Sequence, residues 1–328
     1  QEAQEIINRD LQGSKLSAEA EAKLAQSQEA ALAAIIKFEE LGKTQQTMDL
    51  ANESRKPFEA YAARERLVQL YGDFATKAEI QERMDQAHKL DLEAIQWEAL
   101  GKAAENQPRT GAISASTQLM DLKTSAGAAA GDANVIFVLA GGGVSAHDGN
   151  TGKPLWSMVV GRDTNVLPIT ITAPGAAEPV VLVTDARHDE LVAVQAKTGK
   201  VVWRQPLGEP LVAAPLVHRN KIYQPGGKGS LFVIDPTSGR IAGRLKFGEQ
   251  RLATTPAADL SGNHLYMVGE QYLLYVITLG GMPKCETIYY TAPRPDSIIA
   301  APLRMFRYLV LCENSTASTV RLRVFLLF

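Results

Sequence analysis

The chain has 328 residues, 45% of them hydrophobic and 21% charged, and 34 Lys and Arg balance 36 Asp and Glu to a formal net charge of −2. That composition supports two domains with real cores and excludes both a disordered chain and a global field recruiting nucleic acid or an anionic membrane. No apolar run approaches the roughly 20 residues of a membrane span, and no basic, apolar, small-residue signal opens the chain.

In chain order, the stretch up to Gln107 is rich in Ala, Glu, Gln, Lys and Leu and apolar at helical spacing, which predicts helices. Ser17 is the expected N-cap of the first, ending near Gly42. Pro57 suits the first turn of the second, ending at Gly72, and a third is expected to end at Gly101. Endings about thirty residues apart fit antiparallel hairpins or a short array, and "FEAYAARERLVQLYGDF" resembles a tetratricopeptide-type repeat. Tetratricopeptide-like packing and a plain helical bundle both stay open. Residues 108–132, small and polar, read as a linker, part of which could form an outer strand.

From residue 133 the period changes to short β-rich runs broken by Gly, Pro, Asn and Asp. "DGNTGKPLW" contains a Gly-Lys pair, but Lys153 precedes Pro154, which removes a donor N–H and disfavours the helix a phosphate loop needs. The phrase returns instead as a strand, tight turn, strand unit. Its turn glycines Gly152, Gly199 and Gly239 lie 47 and 40 residues apart, and Gly280 follows after 41. Prolines opening a strand, Pro168, Pro215, Pro256 and Pro302, keep a matching spacing of 47, 41 and 46. Two registers with one period, each holding about four strands, predict propeller blades.

"LVAVQAKTGKVVWRQPLG", "SAHDGNTGKPLWSMVVG" and "LFVIDPTSGRIAGRLKFG" resemble the PQQ-like β-propeller repeat shared by BamB-like and quinoprotein-like propellers. The resemblance implies that Trp156 and Trp203 pack between blades. The third copy has Ala242 or Gly243 where that ring would be, and the fourth has lost both turn sequence and aromatic. The expected fold is thus multidomain, α plus all-β. Residues 1–107 form helical hairpins or a bundle, 108–132 a linker, and 133–328 an incomplete propeller of about four to five four-stranded blades, continuing beyond the C-terminus.

Chemistry is sparse by comparison. Cys285 and Cys312 form no disulfide framework or zinc signature; buried free thiols are expected, and one bridge stays open. His88, His147, His188, His218 and His264 show no metal-ligand spacing, and His147-Asp148 and His188-Asp189 are adjacent strand residues that point to opposite faces. The resemblance implies PQQ with calcium only for the dehydrogenase branch, whose calcium ligands, base, stacking indole and vicinal cysteines are not found here. The expectation is a non-enzymatic protein-binding or assembly scaffold without cofactor or metal. Other proteins would be its partners, in a larger or homo-oligomeric assembly, and the resemblance suggests a bacterial periplasm or cell envelope. A quinoprotein alcohol or sugar dehydrogenase fragment and a carbohydrate-binding propeller are the alternatives.

Overall fold

The computed structural model describes residues 18–105, 128–130, 135–162, 164, 166–172, 178–248, 252–259, 261–269, 273–290, 298, 300–314 and 319–327. The chain divides into two compact units between Leu90 and Asp91. Ser17 and nearly all of the expected linker lie outside the described residues.

The first unit holds α1 (Ala18–Glu53), α2 (Pro57–Leu70), a 3-10 turn (Gly72–Thr76) and most of α3 (Ala78–Ala94). Pro57 opens α2 as expected. Gly42 ends nothing: α1 runs through it. A lone glycine costs a helix about 1 kcal/mol, which the burial of Leu41, Met48 and Ala51 outweighs. At 36 residues α1 alone exceeds the ~34-residue two-helix period of a tetratricopeptide array, so the unit is a bundle of unequal helices. Asn52 Nδ2 donates to Arg83 O at 3.0 Å and Arg83 pairs with Asp49 at 2.8 Å, tying α1 to α3.

His88 on α3 lies against the Tyr61 ring, centroids 5.3 Å apart. Burial pushes its pKa below the usual 6.5, Asp85 pulling back up and Arg64 down. Because the neutral imidazole is the folded form, its contribution is full above pH ~6.5 and is lost as the pH falls through the lower folded value. The helical circular-dichroism signal of the wild type should therefore melt a few degrees lower at pH 5.5 than at 7.5. His88→Phe should flatten that difference.

The second unit is built of antiparallel sheets. Blade 1 is β2 (Ala128–Ala130), β3 (Val135–Ala140), β4 (Gly143–Asp148) and β5 (Pro154–Val159). Blade 2 is β6 (Ile169–Ile171), β7 (Val180–Asp185), β8 (Glu190–Gln195) and β9 (Val201–Pro206). Blade 3 comprises β10 (Leu216–His218), β11 (Lys221–Gly226), β12 (Ser230–Ile234) and β13 (Ile241–Phe247). Blade 4 comprises β14 (Ala257–Ala258), β15 (His264–Val268), β16 (Leu273–Thr278) and β17 (Lys284–Tyr290). A fifth sheet has three strands, β18 (Leu303–Met305), β19 (Tyr308–Asn314) and β20 (Val320–Leu326). Each blade is a meander of sequential neighbours. The architecture is an N-terminal helical region followed by a partial propeller.

Apolar side chains from facing sheets form the core between blades. Phe137, Val144 and Ala146 of blade 1 meet Val181, Val183, Val192 and Val194 of blade 2. Leu182, Leu191 and Trp203 of blade 2 meet Ile222, Phe232 and Ile234 of blade 3. β7 and β8 are buried on both faces and accordingly read as unbroken apolar runs. Pro168, Pro215, Pro256 and Pro302 are all buried, each one residue before the first strand of its sheet. There proline removes no ladder donor from the strand interior.

One element differs from expectation. Residues 95–102, read from sequence as the end of a third helix closing at Gly101, form strand β1 (Ile95–Lys102), antiparallel to β13. The helical region accordingly stops at Ala94 instead of extending to residue 107, and blade 3 becomes a five-stranded sheet. Helix propensity in "AIQWEALGK" gives way to a sheet edge that accepts the strand.

Candidate functional site

The repeat is most regular at the turn between the third and fourth strands. Gly152, Gly199 and Gly239 have φ of 69°, 68° and 69°, a left-handed backbone only glycine adopts freely. Each donates its N–H to the carbonyl four residues earlier, on Asp148, Gln195 and Asp235, at 2.7, 2.9 and 2.8 Å. The hydroxyls of Thr151, Thr198 and Ser238 donate to the same three side chains, at 2.9, 2.7 and 2.8 Å. Thr151 donors hold the Asp148 carboxyl below its usual range. Burial raises Asp235, but donors from Ser238 and Thr237 outweigh it and hold the carboxyl below its usual range. One bulge also recurs, between Ala146 and His147, Ala193 and Val194, Val233 and Ile234, and Val276 and Ile277.

Gly280 departs from this pattern. It sits in the corresponding connection of blade 4, yet its φ is not positive and no atom lies where its Cβ would be. The connection joining Ile277 to its partner Cys285 is one residue longer than its counterparts, so the tight left-handed turn is not required.

The two repeat tryptophans act between blades, as the resemblance implied. Trp156 Nε1 donates to Ala196 O in the next blade at 2.8 Å, and Trp203 Nε1 to Pro236 O at 3.1 Å. Their rings lie on the following corner: a Cβ at Gly199 would come within 2.6 Å of Trp156, and one at Gly239 within 2.5 Å of Trp203. Glycine at the corner thus serves both the turn and the indole above it.

In the third copy the vacant ring position is Gly243, opposite Val233 as Trp203 is opposite Ala193. The space is filled from elsewhere. A Cβ at Gly243 would overlap the indole of Trp97 on β1. The strand is further held by Arg244 Nε donating to Glu98 at 2.8 Å, and past its end Glu105 exchanges backbone bonds with Arg204 of blade 2, both 2.8 Å. Trp97→Ala should therefore free β1, raising hydrogen exchange of amides 96–99 about tenfold or more, a local loss of ~1.5–3 kcal/mol. Protection in blade 1 should stay unchanged.

β1 also walls an open cleft of about 500 Å³ lined by Gly101, Lys221, Asp235, Ser238, Arg240 and Ala242. It is shallow, and Asp235 and Ser238 already serve the corner. A denser polar cluster lies at the β7–β8 turn, where Asp185, His188 and Glu190 bring one ligand atom each within 4.8 Å of one another. Both carboxylates are fully buried. Arg187 makes two bonds to Asp185, 3.0 and 2.8 Å, His188 Nδ1 lies 3.1 Å from it, and Arg204 pairs with Glu190. Burial pushes Asp185 up, but Arg187 and His188 outweigh it and hold the carboxyl below its usual range. With a guanidinium on each carboxylate, the charge a cation would neutralise is already balanced, so the set reads as a structural ion network. From sequence only the adjacency of His188 and Asp189 stood out; the histidine's partner is Asp185, across the turn.

The other histidines stitch turns. His147 Nε2 lies 3.0 Å from Ser145 Oγ, His218 Nε2 3.1 Å from Gly262 O, and His264 Nδ1 3.1 Å from Asp259. Burial raises the Asp259 carboxyl, but Ser261 and His264 bring it down to about 2. Cys285 and Cys312 are free thiols, and burial pushes Cys285 up to about 12.

Pyrroloquinoline quinone with calcium needs an indole face and uncommitted carboxylates. Among the described residues Trp97, Trp156 and Trp203 each cover a glycine, and the buried Asp185 and Glu190 face arginines. These residues do not fit the cofactor.

On the helical unit, α1 carries a second apolar side. Leu32, Ile35 and Ile36 are 57, 54 and 53% exposed, whereas Leu41, Met48 and Ala51 are buried and Phe38 packs on Phe74 with ring centroids 6.3 Å apart. Monomers seldom expose contiguous apolar surface without a use for it.

Four-stranded meanders joined by buried proline-led connections, with matching corners, define a β-propeller repeat protein. Residues 140–279 carry PQQ-like repeats: they match the family model described as outer membrane protein assembly factor BamB. A 142-residue stretch is 30% identical to Protein FAM234A of Bos taurus, covering 40% of this chain and 26% of that protein. BamB from Moraxella catarrhalis is 19% identical with a TM-score of 0.44, over 63% of this chain and 59% of that one. Kluyveromyces lactis Hsv2 is 10% identical with a TM-score of 0.46, over 63% of this chain and 74% of that one. The chain thus spans about a quarter of the length of the curated relative it matches.

Proposed function

We propose that this chain is a non-enzymatic protein-binding scaffold, acting in assembly in a bacterial cell envelope, with the helical unit as its gripping surface. The observation that carries the reading is the exposed apolar side of α1, opposite the residues that pack within the unit. Two further facts support it. The matched family model is described as an assembly factor. The polar side chains of the repeated corners are spent on the turns themselves.

A photocrosslinking residue placed at Ile35 in the full chain, exposed to envelope extract, should yield one discrete protein adduct, while the same residue at Lys153 should yield none. Quinone and calcium added to the full chain should leave the absorbance unchanged, with no dye reduction by alcohols or aldoses. Tight quinone binding with turnover, and no adduct from α1, would replace the scaffold with an oxidoreductase.

A further inference from the structure

We infer that the exposed side of α1 receives a basic amphipathic helix of a partner protein; this rests on the scaffold reading above and specifies which chemistry it grips. At 3.6 residues per turn, Leu24, Leu32, Ile35 and Ile36 fall on one side of α1, opposite Leu41, Met48 and Ala51, which pack inside the unit. The four apolar residues span just over three turns, about 18 Å, which is more than the roughly 10 Å over which a docked helix places anchors at i, i+3, i+4 and i+7.

Charge selects the occupant. Glu21, Glu29 and Glu39 lie on the same side, before, within and after the apolar stretch, and none has a hydrogen-bonded cation among the described residues. The lysines nearby are already used: Lys23 pairs with Glu19 at 2.7 Å, Lys37 with Asp73 at 2.6 Å, and Lys43, one turn beyond Glu39, with Glu40 at 2.8 Å. The surface therefore combines apolar anchors with carboxylates at both ends and one, Glu29, among them. A second copy is a poor fit, because parallel pairing sets Glu21 against Glu21 and antiparallel pairing sets Glu21 against Glu39. An anionic lipid surface meets the same repulsion. A helix with leucine-type anchors and Lys or Arg beyond them meets both features at once.

The test uses the full chain and two fluorescein-labelled 18-residue amphipathic peptides, one of leucine and lysine, the other of leucine and glutamate. Anisotropy should show the lysine peptide binding at least tenfold more tightly than the glutamate peptide, with the difference shrinking as salt rises. The double variant Leu32→Glu with Ile36→Glu should lose at least tenfold of that affinity. Glu21→Lys with Glu39→Lys should reverse the preference between the peptides. Leu70→Glu, on α2 and equally exposed, should change nothing, and the unaltered helical signal of each variant confirms its fold.

Equal binding of both peptides, or binding indifferent to the α1 substitutions, overturns the proposal. So does sedimentation showing a dimer that the α1 variants dissolve, or flotation with phosphatidylglycerol vesicles that they abolish. An Ile35 adduct that persists in the Glu21→Lys, Glu39→Lys variant would leave the scaffold reading standing while removing this partner chemistry. Loss of every adduct in the wild type would remove the scaffold reading itself.

Discussion

Gly239→Ala is expected to destabilise the propeller unit by about 2–4 kcal/mol, with Gly199→Ala close behind and Gly152→Ala costing only about 1. All three glycines share the same left-handed backbone, so each alanine carries the same conformational penalty. They differ in what lies above them. The added methyl meets Trp203 at Gly239 and Trp156 at Gly199, while nothing lies within 4 Å at Gly152. Urea unfolding of the three variants separates the two terms. Trp203→Ala, which removes a side chain only 1% exposed together with its bond to Pro236 O, should itself cost ~3–5 kcal/mol. In that background Gly239→Ala should fall to the Gly152 value. Equal losses at all three glycines would refute the stacking account and leave only the backbone term.

Arg204→Met is expected to cost about 3–5 kcal/mol, because it strips the guanidinium from Glu190, a carboxylate with no solvent exposure. The pair's net worth is another matter. Glu190→Gln combined with Arg204→Met should recover most of the loss, since a neutral amide of the same shape no longer needs a counter-charge. Thermal unfolding of both single variants and the double gives the coupling directly. A single variant as stable as the wild type would show that water reaches Glu190 in solution.

The blades were legible in the sequence because their signal is local. A corner is closed by bonds within five residues, needs glycine at one place, and recurs with the strands it joins. The inter-blade role of Trp156 and Trp203 came from the resemblance to PQQ-like repeats and not from the register itself. Local composition misled in two places. Around Gly42 it marked a helix end, although burial on the helix face carries α1 through. At "AIQWEALGK" it marked a helix, although the deciding partner, β13, lies some 146 residues away and offers an edge no local pattern reveals. The absent ring at Gly243 was visible in the repeat; that Trp97 would fill it was not, because no residue near either position encodes the other. The Asp185 and Glu190 network was hidden for a related reason. "DARHDE" reads as a polar hairpin, and nothing in it marks the carboxylates of Asp185 and Glu190 as fully buried or names Arg204, fourteen residues on, as the partner of Glu190.

The strand around Trp97 has a further bearing on how the protein is made. It leaves the ribosome before any blade, yet its seat is not finished until Phe247 has been added. At 5–20 residues per second that interval is roughly 8–30 s, during which an indole and an unpaired backbone stay without their native cover. Biosynthesis of this molecule therefore has a built-in waiting period, and a chaperone acting on the nascent chain would find a client segment here.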